Sequence, residues 1–174
     1  EKEAVDMAAM AERTAGEFGL SSSPVRVVFR HESPDGAGKS VGAVPRQSAG
    51  VSPGQTAGPA LVSVSPLRLG QVMANILDNA VSFSPPGGEV TVTAGREGER
   101  VFFRVRDRGP GIPPENLERI FDRFYTYRTA DREGRHAGLG LAIVKAIVAG
   151  YGGTVSVENA DGGGACFTVR LPAE

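Results

Sequence analysis

Two asparagines four residues apart, Asn75 and Asn79, are the side chains of this sequence best suited to hold a cation. At that spacing in a helix, the two amides lie on the same face. Amide oxygens suit a hard cation such as Mg2+, which completes its shell with water and substrate phosphates. A solvated polar helix face is the alternative, because exposed asparagines are common. The pair alone leaves both interpretations open.

A carboxylate followed by alternating glycines forms a second candidate motif, Asp107–Ile112. Gly109 and Gly111 would let a flat ligand approach the backbone closely. The carboxylate of Asp107 can accept a hydrogen bond from an exocyclic amino group, which adenine carries. Turns that follow strands use the same residue types, so an ordinary turn remains the alternative.

A third motif, Gly138-Leu139-Gly140-Leu141, lies at the predicted start of a helix. Small residues there leave backbone amides free to bind an anion, although close packing of a helix on a sheet is an alternative. Phe121-Asp122-Arg123-Phe124 and the polar segment 125–137 come just before it. The two aromatic residues are interpreted as anchors of a mobile lid or as core residues. The arginines of the segment bind a ligand or are simply solvated.

Length and composition predict a single soluble domain over residues 1–174, long enough for a real core. The net charge of -1 argues against a bulk nucleic-acid or membrane-surface binder. The single cysteine excludes an internal disulfide. The sequence contains no apolar run of membrane-spanning length and no signal peptide, and it lacks an initiator Met. We expect it to be a piece of a longer protein.

Periodicity of the apolar residues predicts the elements that position the motifs. The predicted helices cover 1–18, 66–80, 113–121 and 138–149. The predicted strands cover 24–31, 60–64, 89–94, 100–107, 154–158 and 165–171. Together they predict an α+β fold, a two-layer α/β sandwich. Its mixed, mostly antiparallel sheet of about five strands is covered on one face by about three helices.

Residues 33–59 differ from the rest, because they are rich in Gly, Pro, Ser and Ala and contain few large apolar side chains. Such a segment buries too little surface to offset the cost of ordering its backbone. We predict a disordered surface insertion, with a ligand-binding loop as the alternative.

The order of the motifs resembles the catalytic, ATP-binding domain of sensor histidine kinases, which share a superfamily with gyrase, Hsp90 and MutL. Residues 68–80 resemble the N box, 107–112 the G1 box, 121–124 the F box and 138–141 the G2 box. The resemblance covers roughly residues 60–172 and implies the Bergerat-type ATP-binding fold.

By this resemblance the cofactors are ATP and Mg2+. Asn79 is implied as the main metal ligand, with Asn75 assisting, and the two are implied as the catalytic residues. The implied nucleotide contacts are Asn75, Asn79, Asp107, Gly109, Gly111, Ile112, Arg123, Phe124, Arg135, Gly138, Leu139 and Gly140.

The implied activity is that of a protein-histidine kinase. Related ATPases carry a water-activating Glu where this chain has Asn75, so the resemblance favours phosphoryl transfer over hydrolysis. His31 and His136 do not fit an acceptor, so the phosphorylated histidine is expected on separate dimerisation helices. The implied partners are those helices, within a homodimeric parent protein, and a response regulator. The domain is expected to be cytoplasmic and to contact neither nucleic acid nor membrane. Anchoring of the parent in the inner membrane stays open.

Three residues depart from the family pattern. Ser82 stands where a Lys is frequent, and His136-Ala137 replace a Gly and a hydroxyl residue of the G2 box. A degenerate, non-catalytic module that binds a nucleotide or a partner is therefore the alternative function. The arginines of the predicted lid could compensate, because Arg binds phosphate well, and our hypothesis is that Arg135 or His136 takes this role.

Overall fold

The computed structural model describes residues 1–20, 24–31, 59–125 and 138–174. The strands are β1 Glu3–Asp6, β2 Arg26–His31, β3 Leu61–Val64, β4 Glu89–Glu97, β5 Arg100–Arg106, β6 Thr154–Asn159 and β7 Ala165–Pro172. The helices are α1 Met7–Gly19, α2 Pro66–Phe83 and α3 Gly140–Gly150. The predicted insertion, apart from Pro59, and most of the predicted lid lie outside the described residues.

The main sheet has five strands in the order β2-β4-β5-β7-β6. β2 pairs with β4 in parallel, whereas the other three pairings are antiparallel. Alternate residues of β5, Val101, Phe103 and Val105, are buried and join the hydrophobic core, which also includes residues of all three helices. This arrangement confirms the predicted α+β sandwich with a mixed, mostly antiparallel sheet.

The first residues of the chain form a strand, so the prediction of one helix over residues 1–18 is wrong at its start. β1 pairs antiparallel with β3, with Glu3 opposite Val64, in a separate two-stranded sheet. Asp6 then caps α1, because its Oδ1 accepts hydrogen bonds from the backbone N–H groups of Ala8 and Ala9 at 2.9 and 3.2 Å. The partner strand is distant in sequence, and local periodicity carries no information about it.

The helix that carries both asparagines is positioned by its apolar side. The predicted stripe is confirmed, since its members are all buried: Leu69, Val72, Met73, Ile76, Leu77 and Ala80. Ser65 occupies the N-cap position and Pro66 the first turn, as predicted, but the Ser65 side chain makes no capping bond. The Ser65 backbone N–H instead donates to Tyr151 Oη at 3.1 Å, which links the start of α2 to the end of α3.

Several element boundaries differ from the prediction. The predicted helix over 113–121 is limited to a 3-10 turn at Pro114–Asn116. β4 extends to Glu97 and turns at Gly98, whose positive φ of 61° permits a tighter hairpin than predicted. α3 begins at Gly140, because Gly138 has a left-handed φ of 70° and cannot join the helix. Within the described ranges, no helix combines the length and the apolar character needed to span a membrane.

Candidate functional site

Asp107 directly follows β5 and is buried, with 2% of its surface exposed. Its Oδ1 accepts hydrogen bonds from the backbone N–H groups of Gly109 at 2.8 Å and Ala165 at 3.1 Å. In the described part of the chain, no hydrogen bond reaches Oδ2. One carboxylate oxygen is thus fixed by the protein, and the other is available to a hydrogen-bond donor of a ligand.

The environment of Asp107 changes its protonation. Burial raises the pKa of this carboxyl above its ordinary value of 3.8, and the N–H groups of Gly109 and Ala165 lower it. The net shift is upward, so two backbone donors do not fully replace the lost water. A third donor at Oδ2 would favour the carboxylate further.

The two glycines of the motif are required by the protein itself. A Cβ at Gly109 would lie 2.7 Å from the backbone oxygen of Phe83, at the end of α2. Gly111 has a φ of 80°, and a Cβ there would lie 2.9 Å from Asn159 Oδ1. The sequence predicts that these glycines admit a ligand. The structure shows in addition that these glycines allow α2 and β6 to pack closely against the loop.

Asn79 and Asp107 line the same narrow pocket. The pocket lies between α2, the loop after β5 and the start of β7. The residues that line it are Asn79, Phe83, Asp107, Pro110, Gly111, Ile112, Ala165 and Phe167. The structure thus brings together four of the predicted site residues, from two motifs that are distant in sequence: Asn79, Asp107, Gly111 and Ile112.

Asn75 lies one turn earlier on α2 and contacts the start of α3. Its Nδ2 donates to the backbone oxygen of Gly140 at 3.4 Å. A Cβ at Gly140 would meet the Asn75 amide at 3.8 Å, and Asn75 does not line the pocket of Asn79 and Asp107. Because the Asn75 N–H donates to the protein, its oxygen is the atom available to a ligand.

A cation between α2 and α3 would depend on amide oxygens. The described residues include no group of three or more His, Cys, Asp or Glu side chains that could hold a metal. Asn75 and Asn79 are therefore the candidate protein ligands at this place, which agrees with the oxygen preference of Mg2+.

The start of α3 has the features of an anion site. Leu139 is the N-cap and supplies no side-chain capping bond, so the amides of the first turn are not satisfied by it. The helix extends for 11 residues, and its dipole places partial positive charge at this end. Gly138, Leu139 and Gly140 thus occupy positions consistent with their predicted contact to phosphate.

Phe124 and Gly138 contact each other, although they are distant in the sequence. The Phe124 N–H donates to the Gly138 oxygen at 3.0 Å, and a Cβ at Gly138 would lie 2.8 Å from the Phe124 carbonyl carbon. Phe124 is 72% exposed and has a positive φ of 63°. Arg123 is also exposed, whereas Arg135 lies outside the described residues.

The two aromatic residues of this motif have different environments. Phe121 is half-buried and packs edge-on against Phe167, with ring centroids 6.3 Å apart. Core packing is therefore the correct interpretation for Phe121, whereas exposed Phe124 is available to a ligand or a partner.

Two residues of the site are absent from the sequence-based prediction. Asn159 Oδ1 accepts from the Ile112 N–H at 2.7 Å, and its Nδ2 donates to the Ile112 oxygen at 2.8 Å. Gly164 has a φ of 87° and packs directly against the Asp107 backbone. The run Gly162–Gly164 suggests a turn in the sequence, but nothing local indicates that this turn contacts Asp107.

Residues 64–174 match the family described as histidine kinase-, DNA gyrase B- and HSP90-like ATPases. The chain belongs to this family. The match includes all four predicted motifs and confirms the superfamily that their order indicated.

Individual relatives show which proteins of this family the chain is similar to. The sensor protein ChvG of Agrobacterium fabrum is 43% identical over 114 residues, which cover 62% of this chain and 19% of ChvG. The solved mycobacterial sensor histidine kinase MprB is 27% identical, with a TM-score of 0.73 and coverage of 100% of this chain and 99% of that one. ShkA, solved at full length in complex with AMPPNP, is 29% identical, with a TM-score of 0.70 and coverage of 99% and 31%.

These matches confirm the predicted type of domain. The chain is an ATP-binding catalytic domain of the sensor histidine kinase type. It spans about a fifth of the length of its curated relatives, 19% of ChvG.

Proposed function

We propose that this domain binds Mg-ATP between α2, the loop 107–112 and the start of α3, and transfers the γ-phosphate to a histidine on separate helices. One observation carries the proposal: the buried carboxylate of Asp107 has Oδ1 fixed by two backbone amides and lines the same pocket as Asn79.

Asp107 selects the base in this proposal. Its Oδ2 accepts a hydrogen bond from the exocyclic amino group of adenine, and the amides of Gly109 and Ala165 keep the carboxylate from rotating. A base that presents a carbonyl oxygen at that position would leave the buried carboxylate without a donor. Buried polar groups without a partner are costly, so the pocket favours adenine.

Asn79 and Asn75 would hold Mg2+ through their amide oxygens. Their residue types fit this role, and the hydrogen bond from Asn75 Nδ2 to Gly140 orients one of the amides. Bound Mg2+ would neutralise charge on the phosphates. The amides that begin α3, at Gly138, Leu139 and Gly140, bind phosphate oxygens, and Arg123, Phe124 and Arg135 contribute from the lid.

Asn75 favours transfer of the ATP γ-phosphate over hydrolysis of ATP. An amide cannot remove a proton from water, whereas the Glu of the related ATPases can. The acceptor imidazole supplies its own nucleophilic nitrogen, so positioning and charge neutralisation are the main tasks left to the domain.

The parent protein is proposed to be a homodimer whose dimerisation helices carry the acceptor histidine and which passes the phosphoryl group to a response regulator. The matches to sensor proteins support this role. The complex of ShkA with AMPPNP, an ATP analogue, supports ATP as the nucleotide that this domain binds. A cytoplasmic position of the domain belongs to the same proposal.

The test combines the chain with the histidine-bearing helices of its parent and γ-labelled ATP. We expect acid-labile, base-stable label on the helices, together with Mg2+-dependent ATP binding by the chain. Asn79→Ala should remove both, whereas Gln71→Ala, on the same helix and bonded only to exposed Arg68 in the described structure, should leave both unchanged. Binding of Mg-ATP without any phosphohistidine would contradict kinase activity.

Ser82 favours the second candidate, a non-catalytic nucleotide-binding module. Its hydroxyl donates to the Asn79 backbone oxygen at 2.9 Å, so it supplies no charge where relatives often have Lys. If this is the function, ATP binds without transfer, and Ser82→Lys raises transfer from zero. Transfer by the unaltered chain would exclude this candidate.

A further inference from the structure

The face of the main sheet opposite the described helices carries a cluster of arginine and threonine side chains. Arg104 and Arg106 alternate with core residues on β5 and therefore project to the same side. Their direct neighbours on β4 are Thr93 and Thr91. This register places hydroxyl donors beside two guanidinium groups, on the face opposite the helices.

An open cavity of about 580 Å3 lies over this cluster. Its lining includes Thr91, Thr93, Arg104, Arg106, Arg108 and Cys166. It shares no lining residue with the pocket of Asn79 and Asp107. The volume lies in the range of small-molecule sites, but the donors here are mainly charged and polar.

Arg106 has an unsatisfied donor in this cavity. Its Nε is buried and has no hydrogen-bond partner among the described residues. One of its terminal nitrogens donates to the Asp161 backbone oxygen, and no carboxylate of the described chain pairs with the guanidinium. Buried donors in folded proteins nearly always have an acceptor, so this group lacks one that a ligand would supply.

The cavity contains guanidinium groups that the described part of the protein does not pair. Four arginines line it, at positions 30, 104, 106 and 108, against three carboxylates, at positions 89, 158 and 161. Glu89 is already paired with Arg30 at 3.5 Å. Arg104 pairs at 3.7 Å with Glu97, which lies outside the lining. Arg106 and Arg108 have no ion pair among the described residues, so their guanidinium groups are the cations left for a ligand, beside the carboxylates of Glu158 and Asp161.

We propose that this cavity binds a small ligand with two or more phosphate or carboxylate groups, separately from the nucleotide. Arg106 supplies the central contact, because a guanidinium presents paired donors that match such groups. Thr91 and Arg108 contact the same ligand from either side of Arg106. A single anion would leave part of a cavity of this size empty.

The test uses the whole chain without Mg2+, with inorganic pyrophosphate and citrate as probes. Each is titrated while the backbone amide and arginine Nε–Hε signals are followed by NMR. We expect saturable shifts at Arg106 Nε–Hε and at the amides of Thr91 and Cys166. Shifts confined to residues 107–112 and 138–141 would assign the probes to the nucleotide site and overturn the proposal.

Substitutions then distinguish the effect of losing a charge in the cavity from the effect of losing the fold. Arg106→Gln should weaken binding of the probes at least about tenfold, as expected for loss of a charge-assisted contact. Arg100→Gln is the matched control, because Arg100 lies on the same strand outside the cavity. If Arg106→Gln does not fold, Arg108→Gln at an exposed position serves instead. Equal affinities in all variants contradict the proposal.

A third probe tests for a macromolecular ligand. A hexapeptide of glutamate should bind no more tightly than citrate if the site is built for a small molecule. Binding of the peptide without binding of pyrophosphate or citrate would overturn the proposal and assign the face to an acidic protein segment.

Discussion

Asn159 holds Ile112 by two hydrogen bonds that run in opposite directions. Its Oδ1 accepts from the Ile112 N–H at 2.7 Å, and its Nδ2 donates to the Ile112 oxygen at 2.8 Å. This pair ties the loop after β5 to the end of β6. Because Ile112 and Gly111 line the pocket of Asp107, the bridge fixes one wall of the proposed adenine site.

Asn159→Ala should therefore reduce both stability and nucleotide affinity. Loss of two hydrogen bonds is expected to lower the free energy of unfolding by about 1–3 kcal/mol. Urea denaturation measures this change, and calorimetric titration measures the affinity for ATP. Ser156→Ala, at an exposed position of the same strand, is the control. A variant that unfolds earlier but binds ATP normally would show that the bridge does not shape the pocket.

Asp107→Asn tests the base-selecting role while changing the shape of the side chain little. The amide oxygen can still accept from Gly109 and Ala165, but its NH2 group takes the place of Oδ2 and faces the amino group of adenine with another donor. Affinity for ATP should fall by about 10- to 100-fold, corresponding to about 1.5–3 kcal/mol. Titration with ATP and with inosine triphosphate measures the selectivity, which the variant should lose. Unchanged preference for ATP would remove Asp107 from the adenine site.

The buried carboxyl of Asp107 also predicts a dependence of stability on pH. Burial raises its pKa in the folded chain above the ordinary 3.8, so the folded state binds the proton more tightly than the unfolded state. The stabilising contribution of this group is then complete below 3.8 and is lost as the pH rises through the folded pKa.

Asp107→Asn should remove this contribution. From about pH 4 to about pH 7, the free energy of unfolding of the variant should rise relative to that of the original chain. Urea denaturation of both proteins across this range gives the difference, with Asp122→Asn at an exposed position as control. A difference that stays constant with pH would mean that the carboxyl titrates alike in both states.

Local patterns predicted the parts of the site that depend on one segment. The stripe from Leu69 to Ala80 orients α2 by its own periodicity, so Asn79 could be placed on a polar face from the sequence. Asp107 follows an alternating strand, so its position at a strand end could be predicted as well. In both cases the information lies within a few residues of the functional side chain.

Contacts between distant segments could not be predicted in this way. The pairing of β1 with β3 and the bridge from Asn159 to Ile112 join residues separated by dozens of positions. Asn75 and Asn79 share a helix face by spacing, yet only Asn79 lines the pocket of Asp107, since Asn75 bonds to Gly140. Which of the two asparagines lines the pocket depends on where α3 packs, and the spacing of residues within α2 gives no information about that packing.

Gly109 and Gly16 provide a final contrast between a glycine held by packing and one that is free. A Cβ at Gly109 would lie 2.7 Å from the Phe83 backbone oxygen, whereas at Gly16, in α1, it would meet nothing within 4 Å. Gly109→Ala should lower the free energy of unfolding by about 1–3 kcal/mol because the backbone must shift. Gly16→Ala should raise it by about 0.5–1 kcal/mol through helix propensity. Urea denaturation measures both changes. If Gly109→Ala were as stable as the original chain, the loop and α2 would not be in the close contact described, and the pocket between them would have a different shape.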